Sequence, residues 1–264
     1  MQSTLANIVR RRELIGVLVR TELETQAAGT RLGFLWWLID PALTMLVYVL
    51  LFTVIFSHGD RYAPFPLFVL CGLLPWKHLA SSLAVSTQLL RRREHLLKSV
   101  PFPSIVLPLS TVLSGAVYLA AGLALTMVAA ALWGRPMNGA LLQLVPLLAL
   151  QVAVVAGLSL VLACLGVLMR DISRLMEHLL RFGLYCSPVL YGLDQVRDSM
   201  GPTAETLYML NPMAILITGY RDALFYGQIM DTKLWLMLLV EAALLLPAGY
   251  LFYRRFDSRL IKEL

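Results

Sequence analysis

From Gly33 to Phe56 the chain is almost unbroken in apolar residues. As a helix, at ~1.5 Å rise per residue, such a run crosses a hydrocarbon core of ~30 Å. It opens on Trp36 and Trp37, where the aromatic belt of a membrane boundary belongs, and then carries Asp40 and Pro41 inside the apolar stretch. A carboxylate and a proline at that depth each need a reason. Similar runs recur along the sequence. The chain is 59% hydrophobic and 14% charged, whereas soluble domains average roughly 45–50% and ~25%. These features describe an all-α polytopic membrane protein with no room for a sizeable soluble domain. Any nucleotide-driven motor must be another chain.

Six spans are expected, at about 33–56, 65–90, 104–133, 140–169, 175–192 and 233–253. Residues 1–30 form a basic, partly amphipathic helix, with Ile8, Leu14, Ile15, Leu18 and Val19 in a ragged stripe. It either lies in the interface plane or packs on a cytosolic partner. Arg10, Arg11 and Arg12 precede only the short apolar patch Leu14 to Val19, so no secretory signal peptide is expected. Residues 31–192 hold the first five spans and 232–253 the sixth, with a basic tail over 254–264. The segment 193–231 is too polar for a span, yet Met209 to Tyr226 is mostly apolar. It reads as a re-entrant or interfacial hairpin on the outer side. With both termini inside, sixteen Lys/Arg fall on the inner segments and five on the outer ones. That positive-inside bias fixes orientation. It also accounts for the net charge of +6 without nucleic acid.

The candidate functional residues fall in three places. Trp37, Asp40, Thr44 and Tyr48 recur at helical spacing and share one face of the first span, with Trp36 beside them. Aromatic rings with a few hydrogen-bonding groups suit sugars. The plainer alternative is a pair of belt tryptophans and one helix-packing acid. The short loop with Arg91, Arg92, Arg93, Glu94, His95, Leu96, Leu97 and Lys98 holds a helical turn over 93–99. It is either an ordinary positive-inside loop or a docking element for a cytosolic partner. Asp171, after Arg170, reads as an ion-paired cap for the next helix. His58, His78, His95 and His178 are scattered without zinc spacing, and no nucleophile elbow or phosphate-binding glycine loop occurs. No metal or catalytic site is expected. Cys71, Cys164 and Cys186 sit in apolar segments and read as small buried hydrophobes.

Six stretches in order carry a family resemblance. They are Leu32-Gly33-Phe34-Leu35-Trp36-Trp37 with Pro41; Gly72-Leu73-Leu74-Pro75-Trp76; Lys98-Ser99-Val100-Pro101-Phe102-Pro103 with Leu107-Pro108; Arg170-Asp171-Ile172; Ser187-Pro188-Val189-Leu190-Tyr191; and Leu210-Asn211-Pro212-Met213 with Arg221. Across nearly its full length the chain resembles the permease subunit of ABC-2 type polysaccharide exporters, the O-antigen, capsule and teichoic acid group. The resemblance implies a homodimer in the bacterial inner membrane, with two copies of a cytosolic ABC ATPase. That machine moves a lipid-linked polysaccharide through a channel between the permeases. ATP and Mg belong to the ATPase, and this chain needs no cofactor of its own. By the same resemblance, about Ile8–Leu23 and Arg91–Ser99 contact the ATPase. The segment 194–231 forms outer helices near the exit, so Asn211, Pro212 and Arg221 become outer-gate candidates. Asp40 departs from the apolar residue common in O-antigen members and is similar to some capsule members. The Trp pair and Arg170-Asp171-Ile172 look more like the O-antigen and teichoic acid members. Two other functions stay open at this point: the same architecture carrying a drug or simple lipid, and, more remotely, a membrane enzyme processing glycolipids.

Overall fold

The computed structural model describes residues 12–28, 62–99 and 103–263, with isolated positions (35, 36, 39, 42, 43, 46, 47 and 50) before them. All regular structure among these residues is helical. In chain order the helices are α1 (Arg12–Ala28), α2 (Phe65–Arg92), α3 (Glu94–Ser99), α4 (Val106–Leu132), α5 (Leu144–Leu168), α6 (Ile172–Cys186), α7 (Leu193–Met200), α8 (Pro202–Tyr208), α9 (Pro212–Arg221) and α10 (Thr232–Glu263). A 3₁₀ turn, Gly139–Gln143, leads into α5, and a π turn, Asp222–Tyr226, extends α9.

Four of these helical stretches are long and apolar enough to cross a membrane: Phe65–Arg92, Val106–Leu132, Gly139–Leu168 and Thr232–Asp257. They match the second, third, fourth and sixth expected spans. Most of the first span lies outside the described residues. Where the backbone is described there, between 35 and 50, it is helical, and Leu35, Leu43, Leu46, Val47 and Leu50 are exposed.

The expected fifth span differs. A helix over 175–192 is replaced by α6, which starts at Ile172 and stops at Cys186. Pro188 is the reason: a proline disfavours helical backbone in the residue before it, and Ser187 is extended (ψ 147°). The basic tail also differs, because 254–263 continues α10 as helix. Asp171 stands at the start of α6 without a capping hydrogen bond.

The bundle is built around α2 and α5. Helix α10 runs along α5 over its length, while α4, α6 and α9 pack on α2. The seam between α5 and α10 is backbone to backbone: a Cβ on Gly157 would run into Leu245 O, and one on Gly249 into Gly157 O. Lipid supplies little drive for helix association, so such small-residue contacts gain stability from close packing. A polar lock crosses the interior. Gln151 of α5 donates to Pro75 O (2.9 Å) and to His78 Nδ1 (3.1 Å), while His78 Nε2 lies 3.1 Å from Val112 O of α4. Both side chains are buried.

One end of the bundle is sealed by a separate apolar cluster. Leu89, Leu90, Val106, Leu160, Val167, Tyr253 and Leu260 form it, and Leu14, Ile15 and Leu18 of α1 and Leu96 and Leu97 of α3 pack against it. The apolar stripe of α1 thus rests on its own chain. At the same end Tyr253 donates to Ser104 Oγ (2.8 Å), which donates to Asp257 (2.7 Å), tying α10 to the start of α4.

Candidate functional site

Three regions hold the candidate residues. On the first span, Trp36 has helical backbone and is 41% exposed. Its proposed companions Trp37, Asp40, Thr44 and Tyr48 lie outside the described residues.

At the α3 end, the basic loop is resolved into distinct jobs. Arg91 sends its guanidinium to Val167 O (2.7 Å), a carbonyl in the last turn of α5 that has no donor within its own helix. Arg93 reaches Glu22 of α1 (3.4 Å). These two side chains bind the ends of α1, α2 and α5 together. Arg92 bonds Gln88 of its own helix (2.6 Å) and is exposed. Within α3, Lys98 pairs with Glu94 at 2.7 Å, and this cation holds the Glu94 carboxyl below its usual range. Leu96 and Leu97 turn inward to the apolar cluster. What remains on the surface is Arg92 at the end of α2 beside the Glu94–Lys98 pair of α3, anchored underneath by leucines. Such a surface can bind an acidic partner while passing displacement to α1, α2 and α5.

At the opposite end, the segment after α6 is non-helical. Backbone carbonyls there need donors if lipid or apolar protein surrounds them. Arg221 supplies them. It is 4% exposed, donates to Val189 O (2.7 Å), Tyr191 O (2.9 Å) and Phe68 O (3.4 Å), and lies over the Phe68 ring with its guanidinium carbon 3.6 Å from the centroid. Guanidinium suits this site because it is a planar fork that stacks and donates at once. Gly72 leaves room for it: a Cβ there would sit 3.1 Å from Arg221 and 3.0 Å from Val189 O. Asn211 accepts from Met213 N (3.0 Å), capping α9, and donates to Ser187 Oγ (3.0 Å); Pro212 opens the helix at its first position. Asn211 and Arg221 therefore converge on the Ser187–Tyr191 break, and Pro212 starts α9 next to Asn211. The hairpin of α7 and α8 stands outside this anchor. Tyr62 donates to Asp194 (2.5 Å), Tyr191 and Tyr208 hydroxyls meet at 3.1 Å, and Arg197 lies 3.6 Å from Glu205. Arg135 reaches Ala63 O and stacks on Phe225.

Sequence reasoning missed α6 as a site element. It packs on α2, with Ile172 and Met176 buried and Gly183 against Trp76. Its open side carries Arg174, Glu177, His178 and Arg181 together with Leu175, Leu179, Phe182 and Tyr185. The signal was present in the i, i+3, i+7 spacing of Arg174, Glu177 and Arg181. Among the described residues no group of His, Cys, Asp or Glu side chains is arranged to hold a metal ion. Cys71 and Cys164 are buried free thiols, and Cys186 is half-buried and free.

Comparison with known proteins gives one family and several relatives. Residues 13–225 match the family described as ABC-2 type transporter. The chain is 32% identical over 249 residues to the O-antigen export system permease protein RfbA of Myxococcus xanthus, covering 94% of each chain. It is 25% identical over 216 residues to the protein of that name in Klebsiella pneumoniae, covering 81% of each. It is 23% identical over 255 residues to the polysialic acid transport protein KpsM of Escherichia coli, covering 94% of this chain and 95% of that one.

Proposed function

Since the chain belongs to the ABC-2 type transporter family, we propose that it is the channel-forming permease subunit of an ATP-driven exporter of a lipid-linked polysaccharide. Relatives whose names specify O-antigen export and polysialic acid transport, matched almost end to end, support that cargo class. ATP hydrolysis falls to a separate ATPase chain. Two permeases and two ATPases form the machine in the inner membrane, each permease crossing six times with both termini cytoplasmic. Residues 193–231 close the outer mouth as a re-entrant segment, and the α3 end faces the cytoplasm.

The observation that carries the channel reading is the open side of α6. Arg174, Glu177, His178 and Arg181 are all exposed on a helix packed among membrane-spanning neighbours. Each charge facing lipid at mid-depth costs ~2.5–3.5 kcal/mol on insertion scales. Arg174 sits in the first turn at the boundary, but Glu177 and Arg181 lie further along α6. Carrying them inside the membrane favours a side that faces water or another protein surface. Phe182 and Tyr185 beside them offer ring faces to a passing glycan. In a homodimer, two such faces and the two first spans, with Trp36, Trp37, Asp40, Thr44 and Tyr48, enclose the path. Closure of the ATPases reaches it through α3 and the Arg91 and Arg93 ties.

Single cysteines in a background lacking Cys71, Cys164 and Cys186 test this. At 174, 178 and 181 they should react with a membrane-impermeant thiol reagent, while those at 172 and 176 stay protected. Uniform protection at all five positions would place the α6 stripe against protein or lipid and remove the main support for a pathway there.

A further inference from the structure

A polar cavity of about 120 Å³ lies between α1, α2 and α4. That is several times the ~10–15 Å³ needed to admit one water. Its polar lining is Glu22, Ser81, Ser82, Thr111, Ser114 and Tyr118. Thr111 and Ser114 lie in the opening turns of α4, so the cavity is at the α3 end, and Glu22 reaches Arg93 there.

The hydroxyls are not equivalent. Ser81 donates to His78 O (3.3 Å), Thr111 to Leu107 O (3.3 Å) and Ser114 to Ser110 O (2.8 Å). Their protons are turned into their own helices, and their lone pairs are left for something else. Ser82 Oγ is buried, with the residue 2% exposed, and has no hydrogen-bond partner among the described residues. A Cβ on Gly115 would meet Ser82 Oγ at 3.2 Å and His78 Cδ2 at 2.8 Å, so even a methyl group there would crowd the wall beside Ser82. The cavity therefore presents the Glu22 carboxylate, which also faces Arg93 at 3.4 Å, and, beside the Ser82 hydroxyl, a surplus of acceptor oxygens. It suits a small donor-rich ligand whose positive end meets Glu22 while a negative end meets the Arg93 half of that pair. Arg93 at its edge offers a partner for a negative group just outside.

The geometry points to a binding site for the aminoethyl phosphate head of a phospholipid, with its ammonium in the cavity and its phosphate toward Arg93. The ammonium brings three donors to the acceptor-rich wall. A choline head brings none and is bulkier, and a glycerol head brings donors without charge. On the proposed function the lipid comes from the cytoplasmic leaflet, and its head would brace α1 against α2 and α4 where the ATPase docks.

Native mass spectrometry of the purified chain measures this directly. The probes are phosphatidylethanolamine, phosphatidylcholine and phosphatidylglycerol of identical acyl chains. Retention of the ethanolamine lipid should exceed that of the choline lipid by roughly tenfold, the worth of one charge-assisted contact. Glu22→Gln should remove most of that preference. The paired Thr111→Val and Ser114→Ala changes, which leave Glu22 and Arg93 untouched, should reduce it several-fold. Arg20→Gln, on the exposed face of α1, should not alter it. Equal retention of ethanolamine and choline lipids, or an undiminished preference in Glu22→Gln, overturns the site and leaves the cavity to ordered water. Equal retention of the glycerol lipid overturns the amine assignment. Because the readout is lipid bound to purified protein, it stands or falls independently of whether the chain exports a glycan.

Discussion

Arg221 shows how little of a residue's surroundings its sequence context conveys. Beside Leu210-Asn211-Pro212-Met213 it reads as a gate charge. In the fold all its contacts are internal, and the carbonyls it serves lie 30, 32 and 153 positions away. No local pattern could expose that. Removing it leaves carbonyls of Val189 and Tyr191 without donors in a buried setting, at ~1–3 kcal/mol each. Arg221→Met should lower thermal stability by several degrees or prevent accumulation of folded protein. Arg221→Lys should recover only part of the loss, because a point ammonium cannot replace the fork and its stacking. Full stability of the methionine variant, read by thermal unfolding in detergent, would mean that the outer segment is held some other way. Gln151 and His78 teach the same lesson: they stand 73 positions apart, and only the crossing of α2, α4 and α5 makes them partners.

Among the elements, those with long apolar periodicity were legible. The second, third, fourth and sixth expected spans agree with α2, α4, the Gly139–Leu168 stretch and α10 to within a few residues at most ends. The exceptions have local causes. The fifth span is shortened by the Ser187-Pro188 step, and α10 outruns its expected end because Tyr253 and Leu260 are buried in the apolar cluster at the α3 end. The helical turn in the basic loop was also legible, as α3. The division of labour among its arginines was not, because it depends on Val167 and Glu22, residues distant in sequence. That division makes a separable expectation. Arg91→Gln should cost ~1–2 kcal/mol of stability through the lost charge-assisted bond to the α5 terminus. Arg92→Gln should leave stability unchanged and weaken binding of the partner ATPase. Thermal unfolding and a pull-down on the two variants read both effects, and matching effects on both variants would refute the split.

For the molecule as a whole, α2 packs against α4, α6 and α9, and α1 packs against α4. The inner ties through Arg91 and Arg93 connect α1, α2 and α5 next to α3. On the proposed function, this arrangement would carry motion of one short helix to several membrane helices, as a permease driven by a separate motor needs. Asp40, prominent in the sequence, lies outside the described residues, and on the family resemblance it bears on which polymer passes. The central claim is transport. Its most direct measurement uses inverted membrane vesicles holding this chain and its partner ATPase, supplied with ATP and a lipid-linked glycan on the outside. Glycan should become protected from an added glycosidase only when both chains are present and ATP is hydrolysed. If the complex assembles and hydrolyses ATP while the glycan stays fully accessible, the chain is not the path by which a polysaccharide crosses.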